Sequence, residues 1–218
     1  MVVGEGVMAE TTGHIDDIDR PWRPASVGQS FVYVFPCHGE DILKLGFSRD
    51  PLNRLQTLHQ RYFEFFDIDR AFLIQTDRVR EARAIEHSLK IELALHNAPA
   101  PLVVERKAGG HTEWYRGASI RLRHAAVGFE QQGYRVNRDM RSWLRDRLAE
   151  RSGVLYHWSS HMLEIIHDQG AALDPPQLST SLEWTLRNAL DAYRAFDLPP
   201  EACVPDEVAQ WYHDVSKS

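Results

Sequence analysis

A phenol, an amine, a guanidinium and a carboxylate stand out in the first half of this 218-residue chain, at Tyr33, Lys44, Arg54 and Glu86. Together they form the set that hydrolysis of a phosphodiester requires. A carboxylate can hold a hard divalent cation, an arginine can fork onto phosphate oxygens, and a deprotonatable group can sit near an attacking water. Each also has an ordinary reading on its own. Tyr33 can be an amphipathic strand residue, and Lys44 an edge-protecting charge. Arg54 with Asp50, and Glu86 with Lys90, are i,i+4 pairs of the kind found on solvated helices.

Elements able to position the four are readable around them. FVYVF at 31–35 and ILKLGF at 42–47 are β-branched and apolar runs separated by the turn-like CHGED, so 31–47 reads as a hairpin. Tyr33 alternates with Val32 and Val34, and Lys44 with Leu43 and Leu45, so both polar side chains can project from one sheet face. Asp50-Pro51 is a helix start, and Leu52, Leu55, Leu58 and Tyr62 recur at helical spacing to about Arg61. AFLIQ at 71–75 is a third strand, followed by a long helix from about Arg78 to His96. Val79, Ala82, Ile85, Leu89 and Leu93 form the buried stripe of that helix, and Glu86 flanks it, free to look along the sheet. Pro99, Pro101, Gly109 and Gly110 force a loop before a short element at Glu113-Trp114-Tyr115. Helices then follow near 117–132, 136–151, 154–169, 179–195 and 205–214, with turn signals at Gly133, Gly153, Gly170 with Pro175-Pro176, and Pro199-Pro200.

Several fragments, in order, resemble a known family. They are Phe31-Val32-Tyr33, Lys44-Leu45-Gly46, Phe47-Ser48-Arg49-Asp50-Pro51 with Arg54, Ile85-Glu86-His87-Ser88-Leu89, and Glu113-Trp114-Tyr115. The chain from about 31 to 117 resembles the GIY-YIG endonuclease superfamily, in its phage-type branch with a KIG-like second motif. The resemblance implies a small three-stranded antiparallel sheet flanked by helices, and with the helices read after residue 117 the expected fold class is α+β, followed by an α-helical C-terminal domain. The resemblance also implies a metal-dependent DNA endonuclease that uses Mg²⁺ or Mn²⁺. Carried onto this chain, Tyr33 activates or orients water, Lys44 replaces a tyrosine in the proton network, Arg54 stabilises phosphorane charge, and Glu86 holds the metal. Asn97 matches an asparagine that some members place near the site. Two positions depart from the pattern: Phe31 stands for a glycine and Lys44 for a tyrosine. Lys44 can act as a base of lowered pKa or as an electrostatic contact, and the sequence leaves both open.

The remaining composition sets the partners. The net charge is -6, but 116–151 carries +5 and 152–218 carries -7. Arg116, Arg121, Arg123, Arg138 and Arg141, with Arg49 ahead of them, are the candidate nucleic-acid-binding residues, interleaved with Phe129, Tyr134 and Trp143. The alternative is a solvated helical face, and Trp143 is as readily a core residue. DNA is the expected partner, with RNA left open. The acidic helical half reads as a protein-binding or self-association module, or as a shield limiting indiscriminate DNA contact. His157, His161 and Glu164 share one helix face at metal-compatible spacing, beside a cleaner apolar stripe that favours packing.

Cys37 and Cys203 lie far apart and outside any CxxC pattern, so neither a disulfide framework nor a cysteine zinc site is indicated. No apolar run approaches the roughly 20 residues of a membrane helix, so a cytoplasmic protein is expected. The organisation reads as a flexible lead at 1–30, a nuclease-like domain at 31–117 and a helical accessory domain at 118–218. A non-catalytic nucleic-acid-binding or protein-interaction module on the same fold is the rival function.

Overall fold

A computed structural model of the chain describes residues 29–171 and 176–216; most of the lead at 1–30, and the turn around Pro175, lie outside them. The expected hairpin forms. Strand β1 (Ser30–Pro36) and strand β2 (Ile42–Ser48) pair antiparallel, with Tyr33 opposite Gly46 and Phe35 opposite Lys44. Helix α1 (Pro51–Leu58) starts as the sequence requires, the Asp50 carboxylate accepting from the Asn53 N–H at 3.0 Å with proline in the first turn. It stops at Leu58 rather than Arg61, and a short helix α2 (Tyr62–Phe65) follows. Strand β3 (Phe72–Thr76) leads into helix α3 (Val79–Glu92), whose last expected turn, Ala94–His96, is a separate 3₁₀ segment.

The sheet is larger than three strands, which corrects the expected fold class. Strand β4 (Asn97–Ala98), strand β5 (Trp114–Arg116) and strand β6 (Arg135–Asn137) extend it to six, in the antiparallel order β4-β5-β2-β1-β3-β6. The three added strands hold two or three residues each, too few for alternation to register in sequence. They exist because they hydrogen-bond to strands already in place. β6 falls where a helix from 136 is expected. Its backbone pairs with the outer edge of β3, Val136 opposite Ile74, after Gly133 turns the chain at φ +93°.

Both faces of the sheet are covered. Val32, Val34, Leu43, Leu45 and Ile74 pack on α3 through Ala82, Ile85 and Leu89, and on helix α4 (Ser119–Gln131) through Leu122 and Ala126. On the other face Phe31, Tyr33, Phe35, Leu73 and Trp114 meet Leu52, Leu55 and Leu58 of α1. That core continues into helices α5 (Met140–Ala149), α6 (Ser152–Ala171), α7 (Pro176–Ala195) and α8 (Asp206–Val215). Arg61 ties the helical half to the front half, donating to Asn188 at 2.9 Å and to Asp191 at 2.7 Å on α7. Among the described residues no helix is long and apolar enough to cross a membrane.

Candidate functional site

β1 lies between β2 and β3, and β2 between β1 and β5, so neither Tyr33 nor Lys44 sits on a sheet edge. Their side chains leave the face that α1 covers, and they are 2% and 0% exposed. Tyr33 stacks on Phe35, ring centroids 4.4 Å apart, and its hydroxyl lies directly over Gly46. A Cβ at Gly46 would stand 2.3 Å from that oxygen, so only glycine leaves room for the phenol. Arg54, one turn into α1, donates from Nε to the Tyr33 hydroxyl at 3.1 Å. Burial raises the phenol above its ordinary pKa, and the neighbouring guanidinium offsets this only in part.

Glu86 comes from the opposite layer, since α3 packs on the other side of the sheet. It joins the others around an edge. β5 pairs with β2 only as far as Lys44, while β2 runs on to Ser48, and Glu113 sits against the uncovered stretch with its carbonyl accepting from the Leu45 N–H at 3.1 Å. The Glu113 carboxylate then bridges the two layers. Its Oε2 accepts from Lys44 Nζ at 2.7 Å and its Oε1 from Lys90 Nζ at 2.7 Å, and Lys90 Nζ stands 3.3 Å from Glu86 Oε1. Burial pushes the Lys44 ammonium down to about 8, against the pull of Glu113. Burial works against the Glu113 charge too, but the two lysines outweigh it and hold the group below the usual carboxylate range. Burial likewise opposes the Lys90 charge, and Glu113 and Glu86 overcome it, leaving that ammonium above its ordinary value.

The loop before β5 closes over the two cations. The carbonyls of Ala108 and Gly109 accept from Arg54 at 2.5 and 3.2 Å, and that of Gly110 accepts from Lys44 Nζ at 2.7 Å. Gly110 has φ +70°, and a Cβ there would lie within 2.9 Å of Arg54, Lys44 and Glu113. The cluster therefore carries three cations, Lys44, Lys90 and Arg54, against two carboxylates, Glu86 and Glu113.

A divalent cation fits only in a sparse form. Among the described residues no group of three His, Cys, Asp or Glu side chains could enclose one. Glu86 is 8% exposed, and the ion pair it makes is with Lys90, 3.3 Å from Oε1. One such carboxylate, completed by water and a substrate phosphate, is the sparse oxygen set that Mg²⁺ accepts. Glu86 is the residue that would hold it.

Of the remaining candidates, Arg49 is exposed near the start of α1. Arg121 and Arg123 lie on α4, across the sheet from Tyr33, and Arg116 ends β5, its carbonyl meeting His96 Nδ1 at 2.9 Å. Arg138 pairs with Glu130, and Arg141 donates to the Ala195 carbonyl at 2.9 Å and stands over the Phe196 ring. Asn97 does not enter the cluster: its Nδ2 donates to the Thr112 and Trp114 carbonyls at 2.7 and 3.2 Å, pinning β5. His161 and Glu164 stand 3.5 Å apart on an exposed stretch of α6. The residues that sequence reasoning missed are the bridging Glu113, Lys90 as its second partner, and the loop carbonyls of 108–110. The i,i+4 spacing of Glu86 and Lys90 and the Glu113-Trp114-Tyr115 element were the available signals, but nothing linear joins them.

The chain belongs to the T5orf172 domain family, whose model matches residues 30–150. No curated protein and no solved structure matches it. The match corrects the GIY-YIG expectation: the family is a different one, and fragments of three to five residues are too short to fix a family. Membership is compatible with a nuclease-like or DNA-binding role.

Proposed function

We propose that the chain is a metal-dependent phosphodiesterase acting on DNA, with Tyr33, Lys44, Arg54 and Glu86 as its working groups. One observation carries this reading: residues from both sheet layers and α1 are joined into a single polar cluster around the start of β5, with one net positive charge. That charge complements one phosphodiester. Arg54 and Lys44 bind the phosphate oxygens in place of the carbonyls of 108–110, and Arg54 stabilises the charge that grows on them. The Tyr33 hydroxyl, kept neutral by burial, orients the water that forms the new P–O bond. The P–O bond to the leaving oxygen breaks, and that oxygen takes up the proton that the attacking water gives up. Mg²⁺ or Mn²⁺ at Glu86 would supply further neutralisation of the phosphate charge.

A supercoiled plasmid incubated with Mg²⁺ or Mn²⁺ tests the proposal. Nicking by the wild-type chain should fall at least 100-fold in Glu86→Gln and in Arg54→Ala, the scale of losing preorganised charge stabilisation. Nicking unchanged in Glu86→Gln would refute it.

A second reading, a binding module without hydrolysis, is favoured by the occupied state of the cluster. Arg54 and Lys44 already hold the carbonyls of Ala108, Gly109, Gly110 and Glu113, and both acids face lysines. DNA binding with no cleavage under either metal selects it.

A further inference from the structure

A groove of about 570 Å³ opens on the sheet face that bears Tyr33, at the end where β1, β3 and β6 meet α5. We propose that this groove takes one unpaired nucleotide of the nucleic-acid strand, so that the preferred substrate carries a break in base pairing. The proposal rests on the nucleic-acid reading above and deepens it to a substrate class.

The groove has the three parts that such a nucleotide needs. Phe31 and Trp143 form an aromatic wall, edge to face with centroids 5.9 Å apart, and the half-buried Trp143 offers the ring surface on which a base stacks. Gln75 and Asn137 line it from β3 and β6, both half-buried and without a side-chain partner among the described residues. Each amide presents a donor beside an acceptor, the pattern that reads a base edge. Arg49 and Arg135 border the groove, exposed and without an acidic partner among the described residues, placed for flanking phosphates. The other charges there are largely committed to the fold: Arg151 pairs with Asp50 at 2.6 Å, Arg147 with Glu150 at 2.5 Å, and Asp139 caps α5. Asp146 offsets one arginine.

Its size and place agree with one nucleotide. The volume is far more than a phosphate fills and lies in the range of pockets that enclose a small organic ligand. Pro51 at the start of α1 lines the groove, and Arg54, one turn further along the same helix, belongs to the cluster with Tyr33 and the 108–109 carbonyls, so the groove and the cluster adjoin one helix. A base stacked within a duplex cannot turn into a recess of this kind without leaving the stack, which is least costly where it is already unpaired.

Fluorescence anisotropy of the full chain in EDTA tests this with two labelled 20-mers: a continuous duplex, and the same duplex with one central unpaired nucleotide. The wild-type chain should bind the second about 10-fold more tightly. Trp143→Leu should erase that preference, and so should Gln75→Ala with Asn137→Ala, a pair that leaves the aromatic wall in place should the tryptophan variant fold poorly. Arg49→Ala with Arg135→Ala should weaken both probes alike and flatten the salt dependence by about two phosphate contacts. Tight binding without preference, or a preference that survives both groove variants, overturns the groove. A folded protein that binds neither probe overturns the nucleic-acid reading itself.

Discussion

Gly46→Ala is the sharpest single perturbation of the cluster. The added methyl would stand 2.3 Å from the Tyr33 hydroxyl and 2.6 Å from Cζ, where ordinary contact begins at 3.4 Å. The phenol must therefore move about 1 Å. It cannot swing freely, because it is 2% exposed, stacked on Phe35 and held by Arg54. Overpacking of this kind costs about 1–3 kcal/mol. For a chain of this length about 2 kcal/mol lowers Tm by roughly 4–8 °C. A displacement of 1 Å at a reacting centre costs about 100-fold in rate, so nicking should fall by that order. The assay is a double-mutant cycle in urea with Tyr33→Leu. If the clash is the cause, Gly46→Ala should cost little in the Tyr33→Leu background, giving a coupling of about 1–2 kcal/mol. Equal costs in both backgrounds, or no cost in either, would show that the phenol is not seated over Gly46.

Three further outcomes are expected. Because burial pushes Lys44 down to about 8 from an ordinary 10.5, the native state loses this proton before the unfolded state does, and wild-type stability should rise relative to Lys44→Met between pH 8 and 10.5. The gain is at most about 3 kcal/mol, and thermal melts of the two proteins at pH 7 and 9.5 would show it as a pH-dependent difference. Glu113→Gln should cost about 2–3 kcal/mol in urea at pH 7, less than a fully buried pair because the carboxylate is partly exposed. As the Glu113 pKa is depressed, that difference should be full above the ordinary carboxylate range and vanish as pH falls below it; a difference that persists in acid would refute the bridging role. Arg61→Ala should cost about 1–2 kcal/mol and raise hydrogen exchange in α7 while leaving β1 and β2 protected, since Arg61 links α2 to Asn188 and Asp191.

Local chemistry was legible where it is written in adjacent residues. The 31–47 hairpin follows from alternation, α1 from the Asp50-Pro51 start, and α3 from its apolar stripe, and each starts where the pattern places it, with both helices ending early. The shorter elements were not legible. β4 and β6 owe their pairing to the edges of β5 and β3, so their two or three residues carry no period of their own. The family was misread for a related reason, because motif fragments of a few residues constrain a hairpin and a helix more than they constrain ancestry.

The sequence by itself determined the residue types, the hairpin at 31–47 with Tyr33 and Lys44 on one face, and the concentration of arginine in 116–151. Tertiary structure alone decided that Tyr33 and Lys44 are buried rather than displayed, because helices cover both sheet faces. It alone brought Glu86 into reach of Lys44, through Lys90 and Glu113, from the opposite layer. The physical reason is the length of β5: a strand that begins only at Trp114 leaves the end of β2 beyond Lys44 unpaired on that side, and charges from two layers meet around that opening. No spacing along the chain encodes such an edge.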